Sequence, residues 1–467
     1  MSTAVRPPDF ARARRPPQVG KPGPARRRRR APFTWAPDAA GALVGLGMGA
    51  VLALAVMSTS VGALRAPGGI ATALGQLFGL AGTYLLLVML LLIARFPWVE
   101  AAVGQDRLLH WHRRLGAWPI GLLVAHAILV TWGYAESARS GLGHQAWLFL
   151  RSYPDVLAAV VGLGLILVAG ATSIRYARRR MRYETWWVVH LYTYLALALS
   201  FPHQLANGQS FVGHPLARAV WAVIWAATAG VVLVFRVLVP LGRSLYYGLR
   251  VVDVRDEAPG VVSIVCAGRR LERLAVSGGQ FFQWRFLKRG MWWQAHPYSL
   301  SALPRPPYLR FTVKANGDHS AMLHRVPKGT RLFIEGPYGA FTPQVRRSDR
   351  LLLVGAGVGI TPIRALLEDL PRGVTADVIL RGTSHADLLF RPELDSLVSM
   401  RGGTVHQLVG SRHEVAADAR ALAELVPDIA SRDVYICGPE GFNQEFLGAV
   451  RLLGLPERQV HHESFAF

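Results

Sequence analysis

Apolar residues crowd the first half of the chain in long runs, and alternate with polar residues in short runs over the second half. Six stretches in the first half, roughly 40–64, 71–94, 111–133, 155–174, 185–204 and 216–239, each come near the ~20 residues a helix needs to cross hydrocarbon. A six-helix transmembrane bundle is therefore expected over 37–245. The pattern then shortens to β-rich segments: Val261-Val262-Ser263-Ile264-Val265, Gln280-Phe281-Phe282-Gln283-Trp284 and Leu309-Arg310-Phe311-Thr312-Val313. These read as an antiparallel β-barrel domain over 247–346, closed by a turn at Gly336-Pro337-Tyr338-Gly339. Over 347–467 apolar strands such as Leu351–Val354 and Val434–Ile436 lead into helical patterns, which points to an α/β Rossmann-like domain. The fold class is thus multidomain, with residues 1–36 forming a tail.

Charge fixes the expected orientation. Arg26 to Arg30, Arg113 with Arg114, and Arg175, Arg178, Arg179, Arg180 and Arg182 fall on alternate loops, so the N-terminus and the second half are expected in the cytoplasm, with the chain multi-pass in the cell membrane. The net charge of +23 does not call for nucleic acid, because the first 33 residues hold ten Lys/Arg against Asp9 alone. Such a juxtamembrane tail reads as disordered and attracted to anionic lipid of the inner leaflet. The apolar run starts late and spans fully, unlike a cleavable secretory signal. Cys266 and Cys437 are the only cysteines, too few for a four-thiolate iron–sulfur cluster.

Four histidines lie inside the apolar stretches: His112 and His126, fourteen residues apart, and His190 and His203, thirteen apart. Fourteen steps of about 100° return almost to the same helix face and climb about 21 Å, so His112 and His126 can ligate two haems along one wall. His110 competes with His112 but faces nearly the opposite way from His126. Thirteen steps leave His203 off the face of His190, and Pro202 before it can bend the chain and re-aim the ring. Ionisable groups at membrane depth are costly and usually functional. The expected metal ligands are His112 with His190 for an inner b-type haem, and His126 with His203 for an outer one.

At these spacings the chain resembles the ferric reductase and NADPH oxidase superfamily, as a bacterial member, from about residue 40 to the end. His296-Pro297-Tyr298-Ser299-Leu300-Ser301 is similar to the flavin-binding signature of the ferredoxin–NADP reductase fold in membrane reductases. The resemblance implies that FAD is held by His296, Pro297, Tyr298 and Ser299, with His296 at the phosphates, Tyr298 on the flavin–ribityl region and Ser299 near the reactive flavin nitrogen. Gly317-Asp318-His319-Ser320 would offer backbone N–H groups and the Ser320 hydroxyl to the pyrophosphate, although the family more often has Trp at the place of His319. The loop Gly355-Ala356-Gly357-Val358-Gly359-Ile360-Thr361-Pro362 resembles the family's nicotinamide-nucleotide loop, in which glycines admit a pyrophosphate. Cys437 and Gly438 stand where relatives have an element beside the nicotinamide. Glu463-Ser464-Phe465-Ala466-Phe467 resembles an acidic-X-aromatic ending whose ring covers the flavin; Phe465 fits the register, with Phe467 as its rival. Arg381, Ser384 and Arg412 stand where an adenosine 2′-phosphate would sit, and no acidic residue stands out there, which favours NADPH over the alternative NADH.

A nicotinamide gives two electrons as hydride and haem iron takes one, so a flavin must stand between them. The expected function is electron transfer from NADPH through FAD and two haems to an extracytoplasmic ferric chelate or to oxygen. Catalytic roles are expected for Ser299, Cys437 and Phe465. With both axial positions taken by His, oxygen would be reduced at the haem edge. Arg113 and Arg114 read either as propionate partners or as positive-inside anchors. Tyr134, Arg139, His144 and His214 are the outer-loop residues available to an acceptor. The alternative is an electron-delivery module for a dedicated extracytoplasmic partner protein. A haem sensor would not need a hydride-donor site, and no loop has EF-hand spacing.

Overall fold

The computed structural model describes Phe10 and residues 35–181, 183–411 and 418–464. They form two units, divided between residues 238 and 239, the second also taking in Phe10.

The first unit is helical: α1 (Ala36–Met57), α2 (Gly69–Ile93), α3 (Gln105–Leu115), α4 (Ala117–Ser137), α5 (Leu142–Ser152), α6 (Val156–Ser173), α7 (Tyr183–Asn207) and α8 (Pro215–Leu233). Among the described residues five helical stretches are long and apolar enough to cross a membrane: Pro37–Met57, Gly69–Ile93, Arg107–Ser137, Val156–Ser173 and Pro215–Tyr247. The stretch expected at 185–204 lies in α7, which at 25 residues has the length. Its Trp, Tyr and His residues lower its apolarity below that of the other five.

Small residues bring these helices together. A Cβ on Gly75 of α2 would meet the Val130 backbone nitrogen at 2.9 Å, and one on Gly162 of α6 would meet the Ala196 carbonyl at 2.7 Å. Without a hydrophobic drive between helices in lipid, such close backbone approach supplies the packing. Leu80 and Leu87 of α2, Leu197 of α7 and Trp221 and Trp225 of α8 form the buried cluster, where Trp221 Nε1 donates to Gln204 Oε1 at 2.8 Å.

The second unit starts with α9 (Val239–Tyr247), tied to the strands by Ser244, whose hydroxyl donates to the Ile334 carbonyl and accepts from the Ile334 N–H. Strands β1 (Arg250–Ala258), β2 (Val261–Ala267) and β5 (Tyr308–Lys314) make one antiparallel sheet in the order β1-β2-β5. Strands β3 (Phe281–Phe286), β4 (His296–Ser299) and β6 (Leu332–Tyr338) make another in the order β4-β3-β6. The core between them holds Phe282, Trp284, Phe286 and Phe311, each fully buried and worth roughly 1.5–3 kcal/mol in transfer from water. Gly336-Pro337-Tyr338, expected as a turn, instead completes β6. Tyr338 pairs with Phe281 across a register shift, and the positive φ of Gly336 (135°) gives the strand its irregular backbone.

The third sheet is all parallel, order β11-β10-β7-β8-β9: β7 (Arg350–Ala356), β8 (Thr375–Gly382), β9 (Val405–Val409), β10 (Asp433–Gly438) and β11 (Val460–Ser464). Helices α11 (Ile360–Asp369), α12 (Arg391–Ser399) and α13 (Glu440–Leu452) follow β7, β8 and β10. A short helix, α10 (Asp318–Met322), follows β5.

Candidate functional site

Within the helical unit the four histidines meet in pairs. His112 on α3 and His190 on α7 have ring centroids 6.3 Å apart, and His203 is close enough to His126 on α4 for the two to interact electrostatically. The helices α3 and α4 abut at Gly116, whose backbone is itself helical (φ −54°, ψ −33°), so the fourteen-residue spacing runs through a nearly continuous path. Pro202 lies inside α7, where it removes one backbone donor just before His203.

Three of the rings already use one nitrogen. His112 Nδ1 lies 3.2 Å from the Met89 carbonyl, His126 Nδ1 lies 2.8 Å from the Gly75 carbonyl, and His190 Nδ1 reaches Ser173 Oγ at 3.5 Å. Anchoring Nδ1 orients the ring and would leave Nε2 open to a ligand, the usual second-sphere arrangement of a metal-binding histidine. His203 Nδ1 is buried with no partner among the described residues. No cluster of three or more His, Cys, Asp or Glu gathers among those residues. A haem asks the protein for only two axial nitrogens, so the donor set fits one such group at each pair.

Sequence reasoning missed the supports of these rings. Trp186, one turn before His190, stacks on it at 5.1 Å and 23°, and donates to Ser173 Oγ at 3.1 Å. The Arg178 guanidinium sits 4.6 Å from the Trp186 ring. Only the i, i+4 spacing of Trp186 and His190 was visible beforehand. His110, Arg113 and Arg114 are exposed, as are Arg139, His144 and His214; Tyr134 is held among Phe149 and Tyr153.

In the second unit, β4 carries the flavin-signature residues. Pairing with β3 sets Ser299 opposite Phe281, Pro297 opposite Gln283 and His296 opposite Trp284. The His296 ring stacks on His319 at 3.8 Å, and Tyr298 lies nearly parallel to Phe311 at 5.8 Å. Burial, followed by the neighbouring His296, lowers the pKa of His319 to about 4, so this ring is neutral at pH 7. The buried Ser299 hydroxyl has no partner among the described residues, a cost of roughly 1–3 kcal/mol that a flavin hydrogen bond would remove. Ser320 is tied into its own loop. Its hydroxyl accepts from the Asn316 and Gly317 N–H groups at 2.9 and 3.1 Å and donates to the Gly317 carbonyl at 3.0 Å, so it shapes the loop from within.

The parallel sheet has a topological reversal. From β7 the chain runs outward through β8 and β9, then returns on the other side through β10 and β11, so the loops after β7 and β10 flank a crevice at the strands' carboxyl ends. Gly357 in that first loop has φ +53°. Gly359 lies so close to the end of β10 that a Cβ would meet the Gly438 Cα at 2.9 Å. Thr361 Oγ1 donates to the Val358 carbonyl at 2.9 Å, and Pro362 is buried beside it. Strand register puts Cys437 beside both Gly355 and Glu463, and Gly438 beside Ser464. Burial, then Glu463, raises the Cys437 pKa, so the thiol stays protonated. Asn443 Nδ2 holds β11 through the Glu463 carbonyl and Ser464 Oγ, each at 2.9 Å. Phe465 and Phe467 lie outside the described residues, as does Arg412.

Arg381 near the end of β8 donates to the Ser411 carbonyl at 3.0 Å. The sequence reading passed over Asp387, three residues beyond Ser384. Its carboxylate accepts from Thr383 Oγ1 at 2.6 Å and from Ser384 N and Oγ at 3.0 Å, which lowers its pKa and commits the Ser384 hydroxyl to the loop.

Comparison with known proteins finds three successive family matches along the chain. Residues 78–201 match the ferric reductase like transmembrane component, 260–342 the FAD-binding domain and 353–446 the oxidoreductase NAD-binding domain. The ferredoxin reductase component of 3-ketosteroid-9-alpha-monooxygenase from Mycolicibacterium smegmatis is 30% identical over 226 residues, 46% of this chain and 63% of that protein. A flavohemoprotein of Chromobacterium violaceum is 32% identical over 198 residues, 37% of this chain and 48% of the relative. The chain thus spans less than two thirds of either relative. The crystal structure of the FAD/NAD binding domain of nitric oxide dioxygenase from Vibrio cholerae is 25% identical, covering 47% of this chain and 98% of that one, with a TM-score of 0.39. This chain is therefore a membrane protein that joins a ferric reductase like transmembrane component to FAD-binding and NAD-binding domains of the ferredoxin reductase type, and in that combination it matches the ferric reductase and NADPH oxidase superfamily.

Proposed function

We propose that the protein is a transmembrane oxidoreductase of the cell membrane that passes electrons from cytoplasmic NADPH through FAD and two bis-histidine b-type haems to an extracytoplasmic acceptor, a ferric chelate or oxygen. The observation that carries this reading is the pairing of His112 with His190 and of His126 with His203, three of the four rings oriented through Nδ1. When bound, FAD takes hydride as an electron pair and releases the electrons singly, matching the nicotinamide to one-electron haem iron.

The side chains take roles around that chemistry. Ser299 hydrogen-bonds the flavin near its reactive nitrogen, Tyr298 packs on the flavin–ribityl region, and His296 with Pro297 borders the phosphates. Gly355, Gly357 and Gly359 leave room for the nucleotide pyrophosphate, while Thr361 and Pro362 fix the loop against α11. Cys437 and Gly438 lie at the nicotinamide, Phe465 is the ring that covers the flavin, and Arg381 with Arg412 serves the 2′-phosphate. Domain limits of 37–245, 247–346 and 347–467 enclose all three family matches, with α7 as a sixth membrane helix and the six antiparallel strands as a barrel.

Anaerobic visible spectroscopy of the detergent-solubilised protein with FAD and NADPH tests the reading. Reduced bis-imidazole haem bands are expected, and the faster reoxidant, oxygen or a ferric chelate, identifies the acceptor. Slow reoxidation by both would turn the assignment to a dedicated extracytoplasmic partner protein. An absence of haem overturns the histidine pairs.

A further inference from the structure

Phe10 belongs to the basic N-terminal stretch, yet its side chain is fully buried in the second unit, in a cluster with Val265, Ala302 and Tyr308. Three arginines hold it. The guanidinium groups of Arg305 and Arg310 lie 5.1 and 5.0 Å from its ring centroid, and Arg364 Nη2 donates to its backbone carbonyl at 3.2 Å. These distances are in cation–π range, where a desolvated guanidinium gains most from an aromatic face.

The same arginines join the two nucleotide-binding domains. Arg310 on β5 grips Glu393 on α12 bidentately, with both bonds at 2.7 Å. Arg364 on α11 reaches the same carboxylate at 2.6 Å and also pairs with Glu368, which accepts from Arg305 at 3.1 Å and from the Leu303 N–H at 2.9 Å. Arg305 and Arg310 lie in the segment matching the FAD-binding domain; Arg364, Glu368 and Glu393 lie in the one matching the NAD-binding domain. All five are buried. A buried ionic network keeps its strength only while water is excluded from it. Phe10 covers it with a ring that also satisfies two of its cations.

We infer that Phe10 is a docking key: its inserted ring seals the arginine–glutamate seam and holds the FAD-binding and NAD-binding domains together. Its polar contacts are few, two guanidinium–ring contacts and one carbonyl, so the docked state rests on this single residue. Phe390, whose ring lies 4.7 Å from the Arg310 guanidinium, remains when Phe10 leaves, so an undocked Arg310 keeps one aromatic neighbour while the seam admits water.

Hydrogen–deuterium exchange on the full-length, FAD-loaded protein in detergent tests this, comparing wild type, Phe10→Ala and Phe10→Trp. Phe10→Ala should speed exchange at least tenfold in peptides covering Tyr308–Lys314, Ile360–Asp369 and Arg391–Ser399, with Val405–Val409 unchanged; Phe10→Trp should stay near wild type. A synthetic peptide of residues 4–16 should restore protection to Phe10→Ala, and the same peptide carrying alanine for Phe10 should not. Unchanged exchange in Phe10→Ala overturns the docking. Equal acceleration in both variants overturns the aromatic role.

Discussion

In the windows that qualify as membrane spans only 6–33% of residues are buried, whereas every residue of β10 is. Both regions are apolar, and they treat polar groups in opposite ways. Membrane helices satisfy their backbone internally and can face lipid with their side chains, so burial against protein is confined to helix contacts such as Gly75, Gly162 and the cluster around Leu80, Leu87, Trp221 and Trp225. The parallel sheet is covered on both faces, and the reductase unit around it pairs its buried charges, as in the Arg310–Glu393–Arg364–Glu368–Arg305 chain. Glycine differs accordingly: Gly75 and Gly162 admit a neighbouring helix, while Gly357 and Gly359 shape a crevice at the strand ends. The proposed function thus places its chemistry on rare polar groups in the first unit and on backbone geometry at a sheet edge in the second.

The sharpest break of this contrast is His203→Leu. It should halve the haem-to-protein ratio while NADPH still reduces the flavin; unchanged haem content removes His203 as a ligand. Next comes Arg364→Ala, which strips Glu393 and Glu368 of a buried partner and should cost about 3–5 kcal/mol in the reductase unit. Thermal unfolding followed by flavin fluorescence reads that loss, and the haem spectrum should persist through the first transition. A single shared transition would show that the two units unfold together.

Smaller effects refine the crevice. Gly359→Ala drives a methyl against the end of β10 and should weaken nicotinamide nucleotide binding about tenfold, about 1.4 kcal/mol, with FAD content unchanged. Calorimetric titration of the FAD-loaded protein with NADP+, which binds without donating hydride, checks it. Ser299→Ala removes the unpartnered hydroxyl and should cost FAD about 1 kcal/mol, read as a faster loss of flavin on dilution. Last is pH. His319 titrates near 4 in the fold against 6.5 when unfolded, so the unfolded chain binds the extra proton between these values. Stability from this group is therefore full above about pH 6.5 and falls as pH drops towards about 4; His319→Phe should flatten that part of the profile.

Much of the candidate site was legible because its signals are local. Helix periodicity alone groups His112 with His126, and the glycine spacing after Leu351–Val354 marks a phosphate-sized loop wherever the strand ends. The spans were legible for the same reason: five of the six expected stretches are long and apolar enough among the described residues, and the sixth, 185–204, lies in α7, whose Trp, Tyr and His residues lower its hydropathy. Gly336-Pro337-Tyr338 misled because its backbone is taken up by pairing with β3.

The sequence by itself determined the order of a membrane-spanning half and two nucleotide-binding domains, since length, hydropathy and turn chemistry act within a few residues. Only tertiary structure decided which histidine faces which, that Trp186 and Ser173 hold His190, that Asp387 commits Ser384, and that Phe10 meets Arg305, Arg310 and Arg364. These pairings join residues far apart in the chain, and no local pattern encodes a contact whose geometry is set by the packing of the elements that carry its two ends.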